Sequence, residues 1–470
     1  MITPTEHKSF SIGPCLLARK FFTHLALTPV FSPLKKRGID AAALTEGLIA
    51  YKLTENFSVK QAHTWFMQPE IREFYQVDEF ENRTIYRILE TIGENSAEII
   101  DAVQDRIFSC YHFDTTDINL DWTSIVLHGE ASPLGAFGYS RDHRPDKQQI
   151  TLGIAELTKP NNIPIGVTVK AGNINDMTHF SSTFFQVQKK LIPDSLIIFD
   201  KGAESKHNLD LIQICGHAHL TAKKLNKSDD KIIADFWNRN PVCLNPEEPC
   251  PKKKIYGLVL PKRSSVNYLY YSAELAEENN ESILRRIYRQ VKEAAAIQGS
   301  IDKGKKLPKK FRLENPLIHI SYSVQTKLIS MSEDEAVEFL EKTVDRKRVG
   351  FFALTSSRNL TVNEALKRYR EKDSVEKIFH SLKNEVIIKP LRVWTENSIR
   401  GAIIIGFLAQ LFISLVRFEV AAAKHVSPKF ILLSLKKLTL TVMRGKYHGE
   451  KYVYSNFEPL SMAVLGLGSG

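Results

Sequence analysis

Three acids and three neighbouring side chains carry the chemistry this sequence offers. Asp121 lies inside LDWTSIVL, a run rich in apolar and β-branched residues, and Asp200 closes the short apolar run SLIIFD. A carboxylate at such a place is costly unless it is paired, protonated or bound to a cation. One strand-end acid alone means little, because an acid often caps the helix that follows. Further along, YREKDSVEKIFHSLK carries Tyr369, Lys372, Glu376 and Lys383. On a helix, spacings of 4 and 7 residues put Lys372, Glu376 and Lys383 on one face, with Tyr369 one turn earlier on nearly the same stripe. Two readings of that stripe stand side by side. One is a solvated Lys–Glu pair worth about a few tenths of a kcal/mol. The other is a third acid, set among cations, that joins the two aspartates.

Other candidates compete. Asp114 and Asp117 flank the strand that holds Asp121 and contend with it for a metal role. Cys215, His217 and His219 alternate in CGHAH, as zinc ligands or as core residues; no second ligand pair at zinc-finger spacing accompanies them. Cys243 and Cys250 share a proline-rich loop. Asp142 and Asp146 sit among Arg141, Arg144 and Lys147, a pattern for a salt-bridged loop or for a contact with a DNA end. Trp122 is a packing residue or a platform for a base.

The elements that must position these groups can be read from periodicity. Residues 1–110 read as a helical region, a structural bundle or a DNA-binding domain, with apolar residues at 3–4 spacing in AAALTEGLIAYKL and NRTIYRILETIGENSAEIIDAVQDRIF. At Asp114 the pattern changes. INLDWTSIVLHGE, QQITLGIAEL and IPIGVTVKAG read as strands, followed by a helix from Asp176 to Lys190, the strand SLIIFD, a helix from Glu204 to Ile214 and the strand HAHLTA. Three strands and then alternating helices and strands make an α/β layer pattern over 111–224. Residues 225–345 break it with clustered prolines, lysine runs including Lys305, Lys306, Lys309 and Lys310, two strand-like pieces and a charged helix from Ala273 to Ala296. They read as a β-rich basic insertion. The α/β order resumes over 346–430 with the strand VGFFALTSS, one helix from Val362 to about Leu382 and another from Glu396 to Ala423. Residues 431–470 read as a basic tail.

Composition bounds the partners. The chain has 470 residues with a net charge of +11 and ordinary globular proportions, 43 % hydrophobic and 25 % charged. Those values argue against a disordered or collagenous chain, and the basic excess points to a polyanion, nucleic acid before membrane. Five cysteines spread over this length suit a reducing compartment and no disulfide framework. The first residues, MITPTEHKSF, do not read as a signal peptide. The apolar stretch Ala402–Val416, interrupted by Gln410 and Ser414, falls short of the ~20 residues that span a bilayer and reads as a buried helix.

The stripe on the late helix resembles a signature of DDE insertion-sequence transposases of the IS-four-like type: Tyr, two residues, Arg, three residues, Glu, six residues, Lys. Tyr369, Lys372, Glu376 and Lys383 hold those places, with Lys372 where Arg is usual. That exchange keeps the charge and loses the forked geometry. LDWTSIVLHGE is similar to the first-Asp strand of the group and SLIIFDKGAES to the second. GYSRDHRPDKQQITLGI and GNIND resemble further stretches found there, and a long insertion between the second Asp and the Glu is a feature of the group. The resemblance covers roughly residues 110–425.

It implies an α/β fold with a ribonuclease-H-like catalytic core, interrupted by the β-rich insertion and preceded by the helical region. It implies Asp121, Asp200 and Glu376 as catalytic residues and metal ligands for two Mg²⁺ ions, with Mn²⁺ as substitute, because phosphodiester cleavage uses paired hard cations held by oxygen ligands. Tyr369, Lys372 and Lys383 are then DNA-binding residues. The implied activity is cleavage and joining of DNA at the ends of the protein's own element. The implied partner is double-stranded DNA, bound by a homodimer with no membrane involved, in the cytoplasm and on the nucleoid of a prokaryote. The rival reading is a DNA-binding repressor or domesticated derivative without catalysis.

Overall fold

The computed structural model describes residues 4–35, 37–54, 58–127, 132–159, 162–304, 327–384, 393–445 and 449–467. They fall into two compact units, Met1–His219 with Arg368–Gly470, and Leu220–Lys367.

The first unit opens with β1 (Pro4–Ser11), α1 (Gly13–His24), a short α2 (Thr28–Phe31), α3 (Ala41–Thr54), α4 (Val59–Phe66), α5 (Pro69–Tyr75), α6 (Asn82–Glu94) and α7 (Ser96–Cys110). Pro69 begins α5 at the first helical position, where its missing N–H costs nothing. In α6 the apolar residues Ile85, Ile88, Leu89 and Ile92 recur at helical spacing and are buried. Next come β2 (Ile118–Val126), β3 (Gln149–Leu157), β4 (Ile163–Ala171), α8 (Asp176–Val187), β5 (Leu196–Phe199) and α9 (Lys206–Ile214). The strand order is β4-β3-β2-β5, with β2, β3 and β4 antiparallel neighbours and β5 parallel to β2. Every residue of β2 and β3 is buried, so neither face of these strands meets solvent.

The chain passes into the second unit within β6 (Ala218–Lys223). There follow α10 (Asp230–Ala234), the two-residue β7 (Val242–Cys243), β8 (Ile255–Pro261), β9 (Val266–Ser272), the long α11 (Ala273–Ile301), α12 (Glu333–Thr343) and β10 (Phe351–Ser356). The strands lie in the order β6-β10-β9-β8-β7, all antiparallel. Ile283, Ile287, Val291 and Ala294 of α11 pack on Ala336 and Leu340 of α12. Among its described residues helix outnumbers strand, so the unit is not mainly β-structured, and it runs over 220–367 where 225–345 was expected. The strand expected to reopen the catalytic core is β10, which pairs inside this unit. Lys305, Lys306, Lys309 and Lys310 lie outside the described residues.

The chain returns to the first unit within α13 (Val362–Glu371), followed by α14 (Asp373–Asn384), α15 (Glu396–Glu419), α16 (Pro428–Lys437), β11 (Thr439–Gly445), β12 (Gly449–Ser455) and α17 (Pro459–Leu465). The expected single helix from Val362 to Leu382 is two helices with a break at Lys372. The backbone there makes three-residue bonds, Lys372 N–H to Tyr369 O at 3.2 Å and Val375 N–H to Lys372 O at 3.0 Å. The expected tail is folded: β11 pairs with both β1 and β12 in a small antiparallel sheet. The N-terminal helices are not separate from the strands either, because α15 joins them. By length and composition α15 could cross a membrane, yet 94 % of its most apolar window is buried inside the protein. Two glycines let α6 and α15 meet backbone to backbone. A Cβ at Gly401 would stand 2.0 Å from Leu89 O, and one at Gly93 would stand 1.8 Å from Asn397 O.

Candidate active site

The parallel pairing of β2 and β5 sets Leu120 beside Phe199. One residue further along each chain stand Asp121 and Asp200. Asp121 is buried. Its Oδ1 accepts the Trp122 N–H at 2.8 Å, and its Oδ2 lies 3.9 Å from Lys372 Nζ. Asp200 is more open, with 44 % of its side chain exposed. Its Oδ1 accepts from Tyr369 Oη at 2.9 Å and lies 3.2 Å from the same Lys372 Nζ. Two carboxylates from neighbouring strands thus converge on one ammonium.

Burial pushes the Asp121 carboxyl up to about 6; the Lys372 charge opposes this and the Asp200 charge adds to it. Lys372 has 4 % of its side chain exposed. Burial alone would lower its pKa, but the Asp121 and Asp200 charges outweigh burial and hold it above the ordinary lysine range. Burial, and then the Asp200 carboxylate, push the Tyr369 phenol well up, so it stays a neutral donor.

The surface Lys372–Glu376 pair, one of the two readings of the stripe, does not form: the Lys372 ammonium is directed to Asp121 and Asp200. Glu376 stands exposed, about one turn beyond Lys372. Among the described residues no three of His, Cys, Asp and Glu are placed to hold one metal ion. The structure brings Asp121, Asp200, Tyr369 and Lys372 together, while the exposed Glu376 acts on Lys372 through its charge and after those two aspartates in strength. Lys383 reaches β2 elsewhere, its Nζ 2.7 Å from Thr123 Oγ1 and 3.3 Å from Asp142 Oδ1. The oxygen donors of Asp121 and Asp200 fit a hard divalent cation, since one position already lies within reach of both. The three-carboxylate set is not assembled around it.

The competing acids separate by environment. Asp114 is exposed beside His112. Asp117 is a clasp: its Oδ1 accepts the Leu196 N–H at 2.6 Å and its Oδ2 takes Arg368 Nη1 at 2.5 Å, which ties β2, β5 and α13 together. Arg144 and Asp146 form an exposed two-bonded pair. Trp122 is buried on the opposite face of β2, where its Nε1 donates to Thr183 Oγ1 at 3.1 Å, so it packs. His219 is buried and Cys243 and Cys250 are free thiols; none belongs to a metal group among the described residues.

Sequence reasoning missed Glu156. It is fully buried on β3 directly opposite Asn119. Ser374 Oγ donates to its Oε1 at 2.6 Å, and Asn119 Nδ2 donates to Ser374 Oγ at 3.3 Å. Burial pushes its carboxyl up to about 8 against the help of those hydrogen bonds. The signal was present in the sequence: Ile150, Leu152 and Ile154 share one face of β3, and Glu156 is the next residue on it.

Also missed was the cleft beside the pair. It encloses about 340 Å³ between Thr123, Ser124, Tyr139, Arg141, Asp176 and Gly202. Arg141 closes one side with a 2.6 Å ion pair to Asp176, in the first turn of α8, whose start is capped by Asn175 Oδ1 on Thr178 N–H. Tyr139 is 85 % exposed at the rim. Its loop is nevertheless fixed, because Gln149 Nε2 donates to Tyr139 O at 2.8 Å and Arg141 N–H donates to Ser124 Oγ at 2.9 Å.

No family model matches the chain, and no curated protein matches it. Among solved structures the chain is similar to a piggyBac transposase in its synaptic complex with hairpin DNA. The match is 11 % identical, covers 90 % of this chain and 79 % of that one, and has a TM-score of 0.41.

Proposed function

We propose that the protein is a DNA transposase of the DDE type, which cleaves and joins phosphodiester bonds with divalent cations, Mg²⁺ by preference. The observation that carries the reading is the meeting of Asp121 and Asp200 at one cation position on adjacent parallel strands. The four-residue pattern from Tyr369 to Lys383 supports it. So does the strand order β4-β3-β2-β5, with an antiparallel β3 and a parallel β5, which suits a ribonuclease-H-like core.

In this reading Asp121 and Asp200 hold the cation. A divalent ion bound there supplies a more acidic water and a stabilised leaving oxygen. Tyr369 orients Asp200 through its hydroxyl. Lys372 and Lys383 meet DNA phosphates as point charges, which contributes affinity without sequence choice. Glu376 is the third carboxylate by its place in the sequence pattern.

The exposed position of Glu376 favours a second reading, a DNA-binding protein that does not cut. One experiment separates the two. Purified protein is mixed with a supercoiled plasmid carrying the DNA that flanks its gene, with Mg²⁺ or Mn²⁺. The transposase reading expects nicking that disappears in Asp121→Asn and Asp200→Asn. Binding without nicking by the wild type leaves the second reading.

A further inference from the structure

Lys372 is an unusual DNA-binding lysine, because its charge is already spent inside the protein. Its Nζ lies 3.2 Å from Asp200 Oδ1 and 3.9 Å from Asp121 Oδ2, and its side chain is almost wholly buried. That ammonium stands where the oxygens of both acids converge, which is the position a divalent ion needs. Two cations cannot share the position, since an ammonium and a dication a few ångströms apart repel strongly in a partly buried site. We infer that Lys372 is a built-in counter-ion, which keeps the Asp121–Asp200 position closed to divalent cations until a DNA phosphate draws the ammonium away. The release half of this inference rests on the DNA-cleavage reading above; the competition between Lys372 and the metal does not.

Three features suit the residue to such a switch. It occupies the break between α13 and α14, where the backbone has left the regular helical ladder. It is a lysine, and a single charge on a flexible stem leaves a carboxylate more easily than a two-pronged guanidinium does. Its two anchors are unequal, one carboxylate buried and the other 44 % exposed, so the side chain has an open edge by which to leave. Metal and DNA binding are then coupled, and the coupling is reciprocal: each raises the affinity for the other by the same factor.

The test is titration of Mn²⁺ into the full-length protein, following the free-ion signal by electron paramagnetic resonance, with and without a 30-base-pair duplex. Lys372→Met, which keeps length and loses charge, is expected to bind Mn²⁺ at least tenfold more tightly than the wild type in the absence of DNA. Adding Asp121→Asn to that variant should remove the gain. Lys372→Arg keeps the charge and should bind as weakly as the wild type. A comparison that needs no variant is the wild type itself, whose Mn²⁺ affinity should rise about tenfold when the duplex is present. Equal Mn²⁺ affinity in the wild type and Lys372→Met overturns the inference, as does tight binding by the DNA-free wild type. Failure of the activity reading looks different: Lys372→Met gains Mn²⁺ affinity as expected, while the wild type nicks no plasmid.

Discussion

Ser374 donates its hydroxyl proton to Glu156 Oε1 across 2.6 Å, joining the first turn of α14 to a carboxyl that has no exposure to solvent. Lys372 lies two residues before Ser374, so this bond helps to fix where the lysine sits over Asp121 and Asp200. Glu156 Oε2 has no hydrogen-bond partner among the described residues, which adds to the cost of charging the group.

That bond makes stability depend on pH in a stated direction. Folded Glu156 keeps its proton up to about pH 8, while the unfolded chain releases it near the ordinary 4.5. Between these values folding takes up a proton. Its contribution is therefore fully present below the unfolded value and is lost as pH rises toward 8, by up to about 5 kcal/mol from the size of the shift. Glu156→Gln has no proton to take up. Thermal melts at pH 5, 6, 7 and 8 should show the variant losing less stability with rising pH than the wild type. Parallel curves would mean that Glu156 is already charged in the folded protein.

The crossing of α6 and α15 gives a second expectation. Gly401→Ala would ordinarily favour a helix by about 1 kcal/mol. Here the added methyl would stand 2.0 Å from Leu89 O, a rigid backbone atom. Overpacking of this kind costs about 1–3 kcal/mol, so the net effect is destabilisation. Urea unfolding should show a lower midpoint for Gly401→Ala, and an unchanged or raised midpoint would mean that the two helices are further apart.

Asp117 and Asp114 allow a clean contrast. Asp117 is buried and clasps both the part-exposed Arg368 and the buried Leu196 amide, and leaving such a donor without its charged acceptor costs about 1–3 kcal/mol. Asp114 is almost fully exposed, where substitutions stay within about 0.5 kcal/mol. Asp117→Ala should lower stability by about 1–3 kcal/mol, and Asp114→Ala should leave it unchanged in the same denaturation assay. Equal effects would remove the clasp from the account.

The strands around Asp121 and Asp200 were legible because both acids interrupt or end apolar runs, a pattern that local chemistry writes directly into the sequence. The break at Lys372 was not, because YREKDSVEKIFHSLK has unbroken helical periodicity. The cause is tertiary: Lys372 turns in toward Asp121 and Asp200, and Ser374 is held by Glu156. The pairing of β1 with β11 was equally hidden, since it joins residues more than 400 positions apart that have no shared motif. Glu156 was visible only as the last member of an otherwise apolar face, and its partner Ser374 belongs to a helix 218 positions away.

The role of Glu376 can be decided because the residue is exposed. It stands on α14 about one turn beyond Lys372, and the ion pairs of Lys372 run to Asp121 and Asp200 instead. Glu376→Gln therefore removes a charge without disturbing packing or helix propensity, and stability should change by less than about 0.5 kcal/mol. Under the proposed DNA-binding role, affinity for duplex DNA should hold or rise slightly, because a negative charge has left the surface proposed to meet phosphates. If Glu376 supplies the third carboxylate, metal-dependent nicking should fall by at least about 100-fold, the scale on which metal sites respond to weaker perturbations than loss of a ligand. Loss of nicking with stability and binding intact could not come from a surface ion pair, so it would assign the residue to the chemistry. Nicking at the wild-type rate would remove Glu376 from the site and leave Asp121 and Asp200 as its acids.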